Sequence, residues 1–412
     1  MKRFIQQLRF SRKINNLCDL ATAVSFGMCF LSIPLFSFLD KLNFITWFFS
    51  LIFIAFALLS IFLYYGFRLN IISWCYLLFM VCAFVSCLLV KFDGFSFSTF
   101  LNTLFIFLTY TYCISAKHNI KRILFYAYVG IAIFSIIFLI QYRSDLVGLK
   151  FDRLGEKFGD VNDIAIISCI GFALAFYRLI NSRKIYFFFL NLVACITTLI
   201  VSFSTGSKIA LFLIFFSSIF IVVARFGKKR WYFSLVFAFS IVVLLVLILT
   251  IPSFETLKDR FLNMIYTLVG LQYKNKNPDT SSLMRGEMFM NGLSLFMRRP
   301  LFGNGVNGFR TFSCFEGWSH NHWSDSLANF GLIGTFLYHL PIIVFYLNIK
   351  SMPEKQDRVI FCMLMTLLLI SSISVALFNE KFFSYTIGIV LSSIKIDNKR
   401  FSVCLFKPKM GF

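Results

Sequence analysis

The sequence predicts an all-α fold, a polytopic integral membrane helical bundle of about twelve transmembrane helices with both termini cytoplasmic. Three observations predict it. The chain of 412 residues is 59% hydrophobic and only 14% charged, whereas a soluble domain carries about 25% charged residues. Apolar runs of about 18–22 residues, the length that crosses a bilayer core, recur along it. Lysines and arginines gather in alternate connectors, as the positive-inside rule requires.

The apolar runs centre near Phe30, Ile54, Phe79, Phe107, Phe134, Phe172, Ala194, Phe216, Val242, Leu337, Leu367 and Gly388, the last being short. Each must be helical, because lipid offers no partner to a free backbone amide. The first follows a basic Met1-Lys2-Arg3 with no small-residue cleavage site behind it, so it is expected to be retained. With the N-terminus inside, 24 of the 40 lysines and arginines fall in inside segments. The short outside connectors around Lys41, Lys91, Lys208 and Lys381 hold one each. Residues 1–412 read as a single membrane domain with a shorter extracytoplasmic loop at 142–161 and a long one at 251–324. Within the long loop, 281–296 has helical spacing that puts Met284, Met288 and Leu295 on one apolar face.

The net charge of +22 would point to nucleic acid in a soluble protein. Here the cations flank spans, so membrane lipids are the expected partner and nucleic acid is not. The eleven cysteines lie mostly in apolar runs, and only Cys314 sits in the long loop. That pattern argues against a disulfide framework and against a cysteine metal site.

The long loop holds the densest group of chemistry-bearing residues. Gly303, Gly305 and Gly308 spell G-x-G-x-x-G, but a dinucleotide site needs a strand before it, a helix after it and a βαβ setting. They are read instead as tight turns. His320 stands just before a span; a histidine there suits a general base, since its ordinary pKa lies near neutrality, or an interfacial hydrogen bond to a headgroup. His322 and Trp323 read as interfacial residues, and His339, beside Pro341, as a packing or kink element. The outward cations are Arg153, Lys208, Arg285, Arg298, Arg299 and Arg310. Lys208 closes a polar hairpin between two spans, where a charge either snorkels or serves a ligand. Arg153 and Arg285 are solvated charges or phosphate clamps. No D-x-D, H-E-x-x-H or P-loop occurs, and the outside acids, Asp160 and Glu380 among them, are scattered along the chain. No metal and no cofactor are therefore expected.

These stretches resemble the O-antigen polymerase and ligase superfamily of bacterial envelope glycan assembly. Ser204-Thr205-Gly206-Ser207-Lys208 is similar to the family's Thr-Gly-Ser-Arg hairpin. Arg285, a helical segment and then Arg299-Pro300-Leu301-Phe302-Gly303-Asn304-Gly305 resemble its Arg-to-Pro-Leu-Phe-Gly stretch. Ser319-His320-Asn321-His322-Trp323, running on to Gly331-Leu332-Ile333-Gly334, resembles its His-Asn signature. Arg153-Leu154-Gly155 with Gly159-Asp160-Val161-Asn162 is a looser match. The likeness covers about half of the chain, 153–334. Lys208 stands where the family usually has arginine, so the charge is kept and the bidentate fork is lost.

The resemblance implies a metal-independent glycosyltransferase working on the outer face of the bacterial cytoplasmic membrane. Its substrates would be undecaprenyl-pyrophosphate-linked oligosaccharides, with a chain-length regulator and a flippase as further partners. A sugar hydroxyl of one repeat unit attacks the anomeric carbon of another, and undecaprenyl pyrophosphate leaves. In that scheme His320 and Arg285 are catalytic, and Lys208, Arg285 and Arg153 hold the pyrophosphate. Asn321, Gly303 and Gly305 support them. A polymerase is the first reading. A ligase that transfers the glycan to lipid A-core or protein is the second, and a flippase for the same lipid is the third. A flippase predicts charges at mid-span and repeated halves; the sequence has neither.

Overall fold

The computed structural model describes residues 2–36, 43–89, 94–147, 154–155, 158, 160–226, 258–259, 262–263, 266, 280–315, 317–352, 354–396 and 403–406. The helices are α1 (Lys2–Phe36), α2 (Asn43–Ser60), α3 (Ile71–Leu89), α4 (Gly94–Ser115), α5 (Ile120–Gln141), the short α6 (Arg143–Val147), α7 (Val161–Asn181), α8 (Ile185–Ser204) and α9 (Lys208–Phe226). After a stretch outside the described residues follow α10 (Thr280–Arg298), the short α11 (Gly308–Phe312), α12 (His322–Asn348), α13 (Lys355–Ser371) and α14 (Lys381–Ser392). Two short strands, β1 (Phe67–Leu69) and β2 (Val403–Phe406), pair antiparallel.

Eleven of the twelve expected span centres fall within these helices; Val242 lies outside the described residues. Among the described residues eight helical stretches are long and apolar enough to cross a membrane, and 99–115 and α14 are shorter apolar helices. The chain is a polytopic helical membrane protein. Its core is aromatic-rich: Phe26, Phe53, Phe105 and Tyr385 pack α1, α2, α4 and α14 together edge to face and stacked. Such ring pairs add to the dispersion contacts on which helix association in lipid depends.

The cation-counting partition is visible in the packing. The connectors assigned inside meet at one end. There Lys121 bridges Glu354 at 2.8 Å, Tyr177 Oη donates to the Gln356 carbonyl at 3.0 Å, and β1 pairs with β2. The connectors assigned outside meet at the other end. There the Leu154 amide donates to the Ser204 carbonyl at 2.9 Å and the His322 amide to the Ser372 carbonyl at 2.8 Å.

The 281–296 stretch forms the helix expected, as the middle of α10. Met288 and Leu295 are buried with Phe309 and Ala328, but Met284 is exposed. The apolar face thus covers only the part of α10 that lies on α12.

Candidate functional site

Two paired segments build the platform of the site. Helix α12 breaks at Gly331, which takes φ 62° and ψ −166°. A break leaves amides and carbonyls without helical partners, a state that lipid-facing backbone cannot tolerate. The 300–305 hairpin supplies the partners. The amides of Asn304 and Gly305 donate to the carbonyls of Ala328 and Asn329 at 2.9 and 3.1 Å. The amides of Leu332 and Ile333 donate to the carbonyls of Pro300 and Leu301 at 2.7 and 3.2 Å. Backbone lies on backbone: a Cβ on Gly303 would stand 2.3 Å from the Asn329 oxygen, and one on Gly331 2.5 Å from the Leu301 carbonyl. Gly303 (φ 71°) and Gly305 (φ 92°) are tight turns, as the sequence predicts. The break lies at Gly331 and not at Pro341, because only there does a second segment take over the hydrogen bonds.

His320 sits at the corner before α12. It has φ 55° and is the one non-glycine residue with positive φ among the described residues. Both neighbours are pinned. The Ser319 amide donates to Asp325 Oδ1 at 3.2 Å, and Ser319 Oγ donates to the Asn321 carbonyl at 3.0 Å. Asn321 Oδ1 caps α12, accepting from the amides of Trp323 and Ser324 at 3.1 Å each. Asn321 therefore starts α12 and fixes the backbone next to His320. The backbone conformation of His320 is one that side chains other than glycine seldom adopt, and such conformations concentrate at functional sites.

The surroundings of His320 are electrostatically mixed. Burial lowers its pKa first, the nearby Arg285 lowers it further, and Asp160 opposes both. The imidazole is therefore neutral at neutral pH. Arg285 projects from the exposed side of α10. Asp160 is the N-cap of α7 and accepts from the Asn162 amide at 2.7 Å. Asn162 Oδ1 in turn accepts from Ser207 Oγ at 2.8 Å, which fastens the 205–207 hairpin to the start of α7. Lys208 follows as the first residue of α9.

The structure thus brings His320, Arg285 and the Lys208 hairpin to one end of the bundle, while Gly303 and Gly305 pair with the break in α12 and Asn321 caps its start. Arg153 lies outside the described residues.

The outside acids are not scattered in space. Asp160 and Asp163, at the start of α7, and Glu380, ahead of α14, lie close enough to repel one another. Burial, then Asp160, raises the Glu380 pKa to about 7, with Lys381 working the other way. The Lys381 ammonium rests 3.6 Å above the Trp47 ring. Glu380 was the residue missed by reading the sequence. The signal was its position in a short outside connector next to the lone cation Lys381. Among the described residues no group of three or more acids, histidines and cysteines has the geometry to hold a metal ion.

His322 and His339 turn inward. His339 Nδ1 lies 2.7 Å from the Thr335 carbonyl, which can only accept, so that nitrogen carries the proton. In the neutral pair, His322 Nε2 then donates to His339 Nε2 at 3.1 Å. Trp323 stacks on His339 with ring centres 4.2 Å apart and donates from Nε1 to Ser372 Oγ at 3.1 Å. These residues clamp α12 to the end of α13.

Residues 190–339 match the O-antigen ligase family. The match spans about a third of the chain and holds Lys208, Arg285, Gly303, Gly305, His320 and Asn321. No curated protein matches the chain.

Proposed function

With residues 190–339 matching the O-antigen ligase family, which carries an O-antigen polymerase- or ligase-type function on lipid-linked glycans in a membrane, we propose that this chain is a polymerase of lipid-linked repeat units. It joins undecaprenyl-pyrophosphate-linked oligosaccharides on the outer face of the cytoplasmic membrane. One observation carries the reading: a half-buried His320 at a strained corner, with Arg285 and Asp160 acting on its imidazole in opposite senses. A neutral imidazole takes the proton from the attacking sugar hydroxyl as its oxygen bonds to the anomeric carbon. The bond from that carbon to the pyrophosphate oxygen breaks, and Arg285 with Lys208 stabilises the departing anion. Pyrophosphate is a good leaving group, so no strong acid is required. Asp160 favours the imidazolium that results. Glu380 and Asp163 crowd Asp160 on the same side, which suits an acceptor that presents neutral sugar hydroxyls.

The match to the O-antigen ligase family favours a second reading, transfer of the finished glycan to lipid A-core or protein. A gel ladder of surface polysaccharide separates the two. Cells with His320→Ala or Arg285→Ala, at matched membrane abundance, are compared with cells lacking the protein. For a polymerase, each substitution collapses the ladder to one anchored repeat, a loss of about 100-fold or more in long chains. Long chains that stay on the carrier, with none anchored, identify a ligase. An intact ladder in both variants beside a defective deletion overturns the catalytic assignment and favours a flippase.

A further inference from the structure

The cation-rich end holds a concavity that glycan transfer does not use. A cavity of about 430 Å³ opens between the ends of α5, α7 and α8. On one wall the Arg178 guanidinium lies 4.8 Å from the ring centre of Phe125 and 5.3 Å from that of Tyr128. Arg183 and Lys184 line the same cavity. Its floor is a built polar network: Tyr128 Oη donates to Asn191 Oδ1 at 2.9 Å, and Asn191 Nδ2 donates to Ser182 Oγ at 3.0 Å. No carboxylate lines it, and among the described residues none of the three cations forms a salt bridge.

Beside the cavity, α8 begins with an exposed apolar wall in which Ile185 is 71% and Phe189 57% exposed. Phe187 and Leu190 continue that wall into the cavity lining. A second cavity of about 220 Å³ shares Tyr177 and Asn181 with the first and adds Arg225 and Lys355.

Isolated snorkelling cations need none of this; they reach past the helix end into water. Here a planar guanidinium is held against two rings, two further cations converge with no counter-charge, and the polar floor ends at an apolar wall. An ordinary solvent anion satisfies the cations and leaves the wall bare. An amphiphile with a phosphate head and acyl tails satisfies both, and basic pockets between helices on the cytoplasmic side take such headgroups.

We propose that this cavity is a headgroup site for an anionic phospholipid of the leaflet on the cation-rich side. The phosphate sits among Arg178, Arg183 and Lys184, the hydroxyls of a glycerol headgroup such as phosphatidylglycerol's reach the Asn191–Ser182 floor, and the acyl chains run along Phe187 and Leu190. The occupant is a lipid of the bilayer, at the end of the molecule opposite to His320.

The test is native mass spectrometry of the purified full chain equilibrated with equal phosphatidylglycerol and phosphatidylethanolamine. The wild type is expected to retain phosphatidylglycerol preferentially. Arg183→Gln with Lys184→Gln, both at exposed positions, lowers that preference several-fold, and adding Arg178→Gln lowers it by about tenfold or more. Asn191→Leu keeps every charge and blocks the floor, so it lowers retention too. Arg68→Gln, Lys350→Gln and Lys395→Gln together remove three charges from the same end and leave the preference intact. Melting temperatures in detergent check that each variant is folded. The proposal is overturned if the cavity variants retain phosphatidylglycerol as the wild type does, or if the distant triple variant loses as much. It is also overturned if inorganic phosphate displaces the lipid at equal concentration. His320→Ala keeps the lipid preference, so failure here and failure of the catalytic reading are separate results.

Discussion

At the cation-rich end the Asp19 carboxylate is fully buried and well supplied. Tyr65 Oη donates to Oδ2, which also meets His118 Nε2 at 2.8 Å, and Tyr112 Oη donates to Oδ1 at 3.0 Å. Asn119 ties the same knot through the Asp19 carbonyl and the Tyr112 hydroxyl. At the opposite end Asp163 is also buried, yet its Oδ1 has no partner among the described residues, and two more acids lie near it. Every salt bridge among the described residues lies at the cation-rich end. Buried polar groups in a folded protein are normally satisfied. One end therefore uses a buried carboxylate to hold helices together, and the other crowds carboxyl groups that lack such partners. Unmatched groups with shifted pKa values beside a pinned, strained histidine are the physical mark of a site.

The largest expected effect breaks the satisfied end. Asp19→Leu removes the buried acceptor shared by Tyr65, Tyr112 and His118, and is expected to cost about 3 kcal/mol or more. Membrane abundance and melting temperature fall, while glycan made per folded molecule stays near the wild-type level. Asp163→Asn is the counterpart. It relieves repulsion, so stability stays within about 1 kcal/mol of the wild type or rises, while activity falls. If both substitutions destabilise equally, the distinction between the two ends fails.

A smaller effect is a dependence on pH. Glu380 binds its proton more tightly in the fold than in the unfolded chain, where its pKa is about 4.3. Between that value and about 7 the native state holds more protons than the unfolded one. Stability from this group is thus full at low pH and is lost as pH rises through that window. His320 has the opposite sign: its pKa is lowered, so its contribution is lost as pH falls below about 6.5. Melting curves from pH 5 to 8 in detergent, on a pH axis set by the experimenter, test this. Glu380→Gln is expected to flatten the decline toward neutrality. An unchanged decline in that variant shows that another group carries it.

The hydropathy of the chain made the bundle legible, because a span's length and apolarity are local properties. The 319–323 and 299–305 stretches were legible for the same reason: each is a compact run of unusual residues. What pairs with them was not. Gly331 reads as one more residue of a long apolar helix, and nothing local says that 300–305 will take its hydrogen bonds. Asp160 and Glu380 lie far apart in sequence, and only the fold of the bundle brings the starts of α7 and α14 to one place. The sign of a residue's neighbourhood is a property of the fold, so the cations were found and the acids beside them were not.

The smallest expected effect isolates the corner itself. His320 contributes an imidazole and also occupies a left-handed backbone position. His320→Ala removes the ring and keeps the unfavourable φ, which costs about 1 kcal/mol for a residue with a Cβ. His320→Gly removes the ring and the steric cost together, at the expense of a more flexible unfolded chain. Both variants should make no long glycan, and the glycine variant should be the more stable by up to about 1 kcal/mol, read as a melting temperature a few degrees higher. Equal stability means that the corner relaxes once the ring is gone, so the strain belongs to the histidine's contacts and not to its backbone. Activity surviving in the glycine variant shows that the strained backbone, and not a base at this position, is what the reaction needs, with Arg285 and the Lys208 hairpin then doing the chemistry by charge alone.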